Sequence, residues 1–458
     1  MQFGRLLRST VLVVSAIGLA GALPAQSDPD LALVTRTLPN GLEVVVYPDH
    51  SVPLVTVEVA VKMGSVYETA RDNGLAHLYE HLFFRSNRAT VNKEDYLRGI
   101  GGKGISYNGS THEEFANFYL TGLKEHLPTL VHFLRDSVMY PAFLPDEVNN
   151  EVNVVIGEAD RIRANPNTWL TERAAALLFP VNPTFKVPLG LEPVITAATP
   201  AQMHAMHDQR VIPTNAVLVV SGDCDPAEVF RLAEEYFGTW ARGAENTPTP
   251  DPGPPLAHSA ADIRESTAES NVIIDFSWRG PSVGSDTGAT YAADVLSYVL
   301  NQPNSRFQKA LVDSGLTTGV NCGYYTQRYV GTISFILVTT PEKAREAVRV
   351  FKQELGQFTA PDYFSDQEME NAKAGLKANE LFDRENPVEY AHSLSFWWAT
   401  AGMPYLLGQQ QANRGTGRED IGRYLGRYVL RHPYVAVALV PSGVPADKAL
   451  TMETLLTP

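Results

Sequence analysis

The chain has 458 residues, 44% apolar and 19% charged. That balance belongs to a globular protein with sizeable cores and excludes wholesale disorder. Two cysteines, Cys224 and Cys322, are too few for a disulfide scaffold, and a net charge of −14 supplies no basic face for nucleic acid.

The N-terminus reads as an address. Arg5 and Arg8 precede an uncharged apolar run from Thr10 to Leu23, and small residues follow. The run is shorter than the ~20 residues that span a bilayer. The pattern is that of a secretory signal peptide, residues 1–25, cleaved after Ala25. It predicts an exported chain, periplasmic or extracellular, with no membrane segment once the leader is removed. Export permits a Cys224–Cys322 disulfide, but their separation makes no motif, and two separately buried thiols are expected.

Strand signals fall at residues 41–47, 54–61, 216–220, 271–276, 330–338 and 434–440. Helix signals fall at 74–84, 124–138, 145–163, 287–300, 341–355 and 365–382. Strands mixed with long helices predict an α+β fold. Residues 241–262 hold five prolines in a short polar window, which predicts a linker between compact units. The flanking pieces, 31–240 and 263–458, end alike. Each shows an apolar β-branched strand, a Gly-containing turn and a proline, Pro226 or Pro445, placed to open a helix. That match predicts an internal duplication.

Residues 74–84 read GLAHLYEHLFF. His77 and His81 are i and i+4, so both imidazoles leave one helix face a turn apart, within reach of one metal ion. Glu80 neighbours that face. His-x-x-Glu-His is a zinc signature, and zinc at such a site lowers the pKa of water towards neutrality. A carboxylate beside it can take the proton and pass it to a leaving amine. A zinc site needs a third protein ligand. In 145–163 the carboxylates of Glu151 and Glu158 are seven residues apart and share a face. From spacing alone either serves, or both face solvent.

These residues resemble the inverted-zincin peptidases of the pitrilysin/insulinase family, M16, including its processing-peptidase-like members. GLAHLYEHLFF is similar to the family's zinc helix, and EVNVVIGE (151–158) to its second helix with two glutamates. The resemblance implies one Zn2+ per chain held by His77, His81 and Glu158. It implies Glu80 as the catalytic base, with Glu151 supporting the site from behind. The segment Asn108-Gly109-Ser110-Thr111 is similar to the family's strand beside the active site, whose edge pairs with the peptide substrate. The family continues with Asp-x-Thr-x-Tyr, whereas Glu113 to Tyr119 here reads EEFANFY and departs.

The resemblance further implies two homologous α/β-sandwich halves, each a mixed sheet packed with helices and joined by the Pro-rich linker. The zinc site lies in the first half only, and four such halves close a chamber that admits unfolded peptides. Active members carry an arginine and a tyrosine in the second half that act on the scissile carbonyl. Here those positions fall on Leu311 or Val312 and on Thr318; Arg306, Tyr324, Tyr325, Arg328 and Tyr329 lie nearby in another register. In two-subunit members one subunit carries zinc and the other the Arg/Tyr pair. The resemblance therefore implies the zinc-bearing subunit of a heterodimer, with a homodimer left open. A non-catalytic structural or peptide-binding member is the alternative.

Overall fold

The computed structural model describes residues 33–90, 98–244 and 249–457. The predicted leader, residues 1–25, lies outside the described residues. Two mixed sheets organise the chain. The first has the order β1-β2-β6-β3-β5-β4, from β1 (Val34–Thr37), β2 (Glu43–Pro48), β3 (Leu54–Val61), β4 (Ser106–Thr111), β5 (Ala116–Leu123) and β6 (Ala216–Gly222). The second has the order β7-β11-β8-β10-β9, from β7 (Ala260–Ser266), β8 (Val272–Arg279), β9 (Gly319–Tyr325), β10 (Thr332–Thr339) and β11 (Val435–Pro441).

The two sheets repeat one wiring. β2 runs parallel to β6, and β6–β3, β3–β5 and β5–β4 are antiparallel. In the second sheet β7 runs parallel to β11, and β11–β8, β8–β10 and β10–β9 are antiparallel. Central β6 is buried along its whole length, as its unbroken apolar run requires. β10 instead alternates buried and half-buried residues, with Ile333, Phe335 and Leu337 inside.

The main helices are α1 (Leu75–Phe83), α2 (Leu127–Met139), α3 (Pro145–Arg163), α4 (Pro166–Leu178), α5 (Pro200–Arg210), α6 (Pro226–Phe237), α7 (Thr287–Leu300), α8 (Ala344–Leu355), α9 (Asp366–Arg384), α10 (Pro387–Thr400) and α11 (Arg418–Tyr428). One face of each sheet packs against helices of its own half. Val57, Val59 and Phe118 meet Leu78, Tyr79 and Leu130, and Phe276 and Phe335 meet Leu296, Val299 and Phe351.

The opposite faces are covered by exchange. α10, from beyond the second sheet's β10, places Leu394, Trp397 and Trp398 on Val45, Ala60, Val217 and Val219 of the first sheet. α4 places Leu170, Ala174 and Leu178 on Val435, Val437 and Leu439 of the second. Burying one such side chain is worth about 1.5–3 kcal/mol.

Two sequence expectations need correction. The proline-rich stretch was expected to run to residue 262, but β7 begins at Ala260 because Ala260–Ser266 pairs with β11. The last prolines before it are pinned rather than free: the Arg279 guanidinium donates to the carbonyls of Pro252, Gly253 and Pro254. Pro226 opens α6 with Asp225 capping it. Pro445 instead lies in a turn, and helix resumes only at Met452–Leu456. Cys224 and Cys322 are both unpaired and buried, in separate cores. Among the described residues no helix is long and apolar enough to cross a membrane.

Candidate metal centre

α1 is anchored at its first turn by a carboxylate from upstream. Glu68 accepts from the backbone N–H of Gly74 (2.9 Å) and Ala76 (2.8 Å) and from Asn73 Nδ2 (3.2 Å). These are N–H groups that a helix start leaves without partners. Burial pushes the Glu68 carboxyl up to about 7 in spite of those bonds. Gly74 has φ 103°, and a Cβ there would come within 2.8 Å of Gly190 Cα. The crossing of these two backbones requires glycine. Leu75, Leu78, Tyr79 and Leu82 then face the core, with Tyr79 Oη 3.0 Å from His207 Nδ1.

That leaves His77, Glu80 and His81 together. Their donor atoms all lie within 4.8 Å of one another. The two imidazoles have centroids 5.0 Å apart and planes at 78°. Burial, then the neighbouring His81, lowers His77 to about 4, which keeps it neutral, as a metal ligand must be. Burial raises the Glu80 carboxyl. Two imidazoles at this separation suit zinc, and the Glu80 carboxylate beside them is placed either to complete a donor set or to act as a base.

α3 supplies two further carboxylates to the two sides of His81. Glu151 Oε2 lies 3.5 Å from His81 Nδ1, and Glu158 Oε2 lies 3.2 Å from His81 Nε2. Glu158 also accepts from Arg161 at 3.3 Å. Glu151 is buried and accepts from Arg85 Nε at 2.7 Å. Burial works to raise its carboxyl, but hydrogen bonds from His81 and Arg85 prevail and hold it at about 2.

The segment 108–111 lies in β4, the edge strand of the first sheet, with β5 as its one partner among the described residues. Its residues point two ways. Thr111 Oγ1 donates to Glu80 Oε2 at 3.2 Å, and a Cβ on Gly109 would come within 3.0 Å of Glu80 Cγ. Asn108 and Ser110 turn to the other face, bonding to Tyr119 and Asn117. The corresponding edge strand of the second sheet, β9, is closed by its own half. The Asn301 side chain bonds both the N–H (2.9 Å) and the carbonyl (2.7 Å) of Cys322, and Gln308 Nε2 donates to Val320 O at 3.1 Å.

The second-half positions that resemblance reserves for arginine and tyrosine are otherwise occupied. Leu311 is fully buried in the second core, and Thr318 bonds the Val338 carbonyl. Arg306 pairs with Glu354, Tyr324 donates to Pro281 O, and Tyr325 bonds Glu113. Arg328 donates to Ala399 O, and Tyr329 stands edge-on to Tyr67. Sequence reasoning missed Glu68 and Arg85. Arg85 is one turn beyond His81, a spacing that could have flagged it.

Family models agree with this picture. Residues 43–185 match the insulinase family, peptidase family M16, and residues 197–376 match the peptidase M16 inactive domain. The chain belongs to the M16 peptidase family. An uncharacterized zinc protease of Mycobacterium tuberculosis is 26% identical over 91% of this chain and 95% of its own. One from Mycobacterium leprae is 30% identical over 50% of this chain; that match spans about half of the relative's length, 52%. The mitochondrial-processing peptidase subunit beta of Blastocladiella emersonii is 28% identical over 46% of this chain and 45% of that subunit. The crystal structure of a protease from Helicobacter pylori superposes with a TM-score of 0.80 at 22% identity, covering 90% of this chain and all of that one. The fold shared with that protease therefore extends over both sheets.

Proposed function

We propose that this M16 chain is an exported zinc metalloendopeptidase acting on unfolded peptides, and that it is the zinc-bearing subunit of a two-subunit enzyme. The observation that carries the reading is the grouping of His77, Glu80 and His81 beside the edge strand β4. His77, His81 and Glu158 hold the metal in this proposal. Zinc, when bound, supplies Lewis-acid polarisation of a carbonyl and a lowered pKa for water. Everything else is done by the chain. An extended peptide adds to the β4 edge through backbone hydrogen bonds, which ask little of its sequence. Glu80, with its carboxyl raised by burial, takes the proton from water and delivers it to the leaving amine. Thr111 holds one Glu80 oxygen, and Gly109 leaves room for the side chain.

The absence of arginine and tyrosine at the second-half positions where Leu311 or Val312 and Thr318 stand supports a related partner subunit that brings them. The same lack favours a second reading, a zinc-dependent peptide binder that does not cleave. Reconstitution separates the two. The Glu80→Gln variant is expected to keep one zinc per chain and lose peptide hydrolysis by at least ~10³-fold. The wild-type chain is expected to bind zinc alone and to cleave an unfolded peptide only after a related Arg/Tyr-bearing subunit is added. Full activity in the Glu80→Gln variant contradicts the role of Glu80. Full activity in a verified monomer contradicts the two-subunit form.

A further inference from the structure

β4 is held from both faces, and the hold on the second face comes from the other half of the chain. Ser110 Oγ donates to Asn117 Oδ1 on β5 and lies 3.0 Å from His112 Nε2. Asn117 Nδ2 donates to Glu58 Oε1 on β3 at 2.8 Å. Glu58 is fully buried, and its other oxygen accepts from His392 Nδ1 of α10. His392 Nδ1 also lies 3.2 Å from Asn117 Nδ2. A second route joins the same histidine: Asn108 on β4 bonds the Tyr119 side chain, whose ring meets His392 edge-on at 4.4 Å. Both outward side chains of the segment 108–111 that lie on this face therefore lead to His392.

A carboxylate with no exposure in the middle of a sheet is expensive unless it is paired. Glu58 is paired by two donors, of which only His392 comes from outside the sheet. The pair fixes where α10 sits on β3, and Asn117 carries that position to the edge strand. A buried network with all its members satisfied rigidifies what it touches.

We infer that His392 is a positioning residue for the peptide site: through Glu58, Asn117 and Ser110 the second half fixes β4 in place over Glu80. The inference rests on the proposed reading of β4 as the strand that receives the peptide. A second half that lacks the arginine and tyrosine thus still contributes to the site in the first half.

The test uses the full-length chain with Glu80→Gln as background, so that peptide binds without turnover. His392→Ala, His392→Asn and Ser110→Ala are compared by amide hydrogen exchange and by binding of a fluorescein-labelled casein peptide. His392→Ala is expected to speed exchange across 106–111 by ~tenfold while exchange in α1 and zinc content stay unchanged. Peptide binding is expected to weaken three- to tenfold, which is about 0.7–1.4 kcal/mol. His392→Asn, which keeps a donor near the Nδ1 position, should restore most of both. Ser110→Ala should weaken binding to a similar degree, and His392→Ala with Ser110→Ala should be no worse than either alone. Unchanged exchange in 106–111 with unchanged peptide affinity overturns the inference and leaves the peptide-edge reading standing. Faster exchange in 106–111 with no peptide bound by any variant, the Glu80→Gln parent included, overturns that reading and the inference with it. Should His392→Ala fail to fold, Ser110→Ala and His392→Asn still decide between these outcomes.

Discussion

His81 is held at both ring nitrogens, by Glu158 at Nε2 and by Glu151 at Nδ1. A carboxylate on the far nitrogen fixes the tautomer and the orientation of a ligating histidine. Glu151 can do so because hydrogen bonds from His81 and Arg85 keep it ionised despite its burial. Glu151→Ala therefore removes the orienting group and leaves Arg85 without its partner. Zinc affinity is expected to fall 10- to 100-fold, on the order of second-layer losses at other zinc sites. Competition against a chelating dye checks this, and Glu151→Gln should fall between the variant and wild type. At this scale legibility followed sequence distance. His77, Glu80 and His81 share one helical turn, and Glu151 and Glu158 share one helix face, so spacing alone could group them. Glu58 and His392 are 334 residues apart. No periodicity joins them, and only the packing of α10 on the first sheet reveals the pair.

The element that matters most is α1, and its start is set by Glu68 rather than by a residue at its N-cap, which is Gly74. Glu68→Ala would leave the buried N–H groups of Gly74 and Ala76 without acceptors. The expected loss is about 1–3 kcal/mol in urea unfolding, with weaker zinc binding because His77 follows directly on the loosened turn. A variant with native stability and native zinc affinity would contradict the capping role. Helices with a single apolar stripe, such as α8, were legible because the period of 3.6 survives in the residues. α10 was not. It is buried on several sides between the halves, so Tyr390, Leu394, Trp397 and Trp398 mask any single stripe. β5 was missed as well, since ANFYLTGL carries polar residues in a strand that is mostly buried. The start of β7 was hidden by the prolines before it, because pairing with β11 is not written in local composition.

At the scale of the molecule, the duplication read from the two strand ends holds in the strand wiring of both sheets. The exchange of helices between them was invisible in the sequence. That exchange makes each half incomplete alone. Fragment 31–244 keeps the proposed zinc residues and α4 but loses α10, which exposes Val45, Ala60, Val217 and Val219 and leaves Glu58 without His392. Fragment 249–458 loses α4 from Val435, Val437 and Leu439. Uncovering three or four such side chains, at about 1.5–3 kcal/mol each, consumes most of the 5–15 kcal/mol that a folded domain has in hand. An unpaired buried carboxylate adds to the loss in the first fragment. Each fragment produced alone is therefore expected to aggregate or to stay partly unfolded. Refolded together, they should recover one zinc site and a single elution peak. The intact chain should unfold in one calorimetric transition, and saturating zinc should move that whole transition upward, since the ion binds only the folded form. Two resolved transitions, of which zinc shifts only one, would show that the halves are energetically separate. A soluble fragment 31–244 that binds zinc as tightly as the full chain would show the same. In either case zinc binding in the first half would not depend on the second.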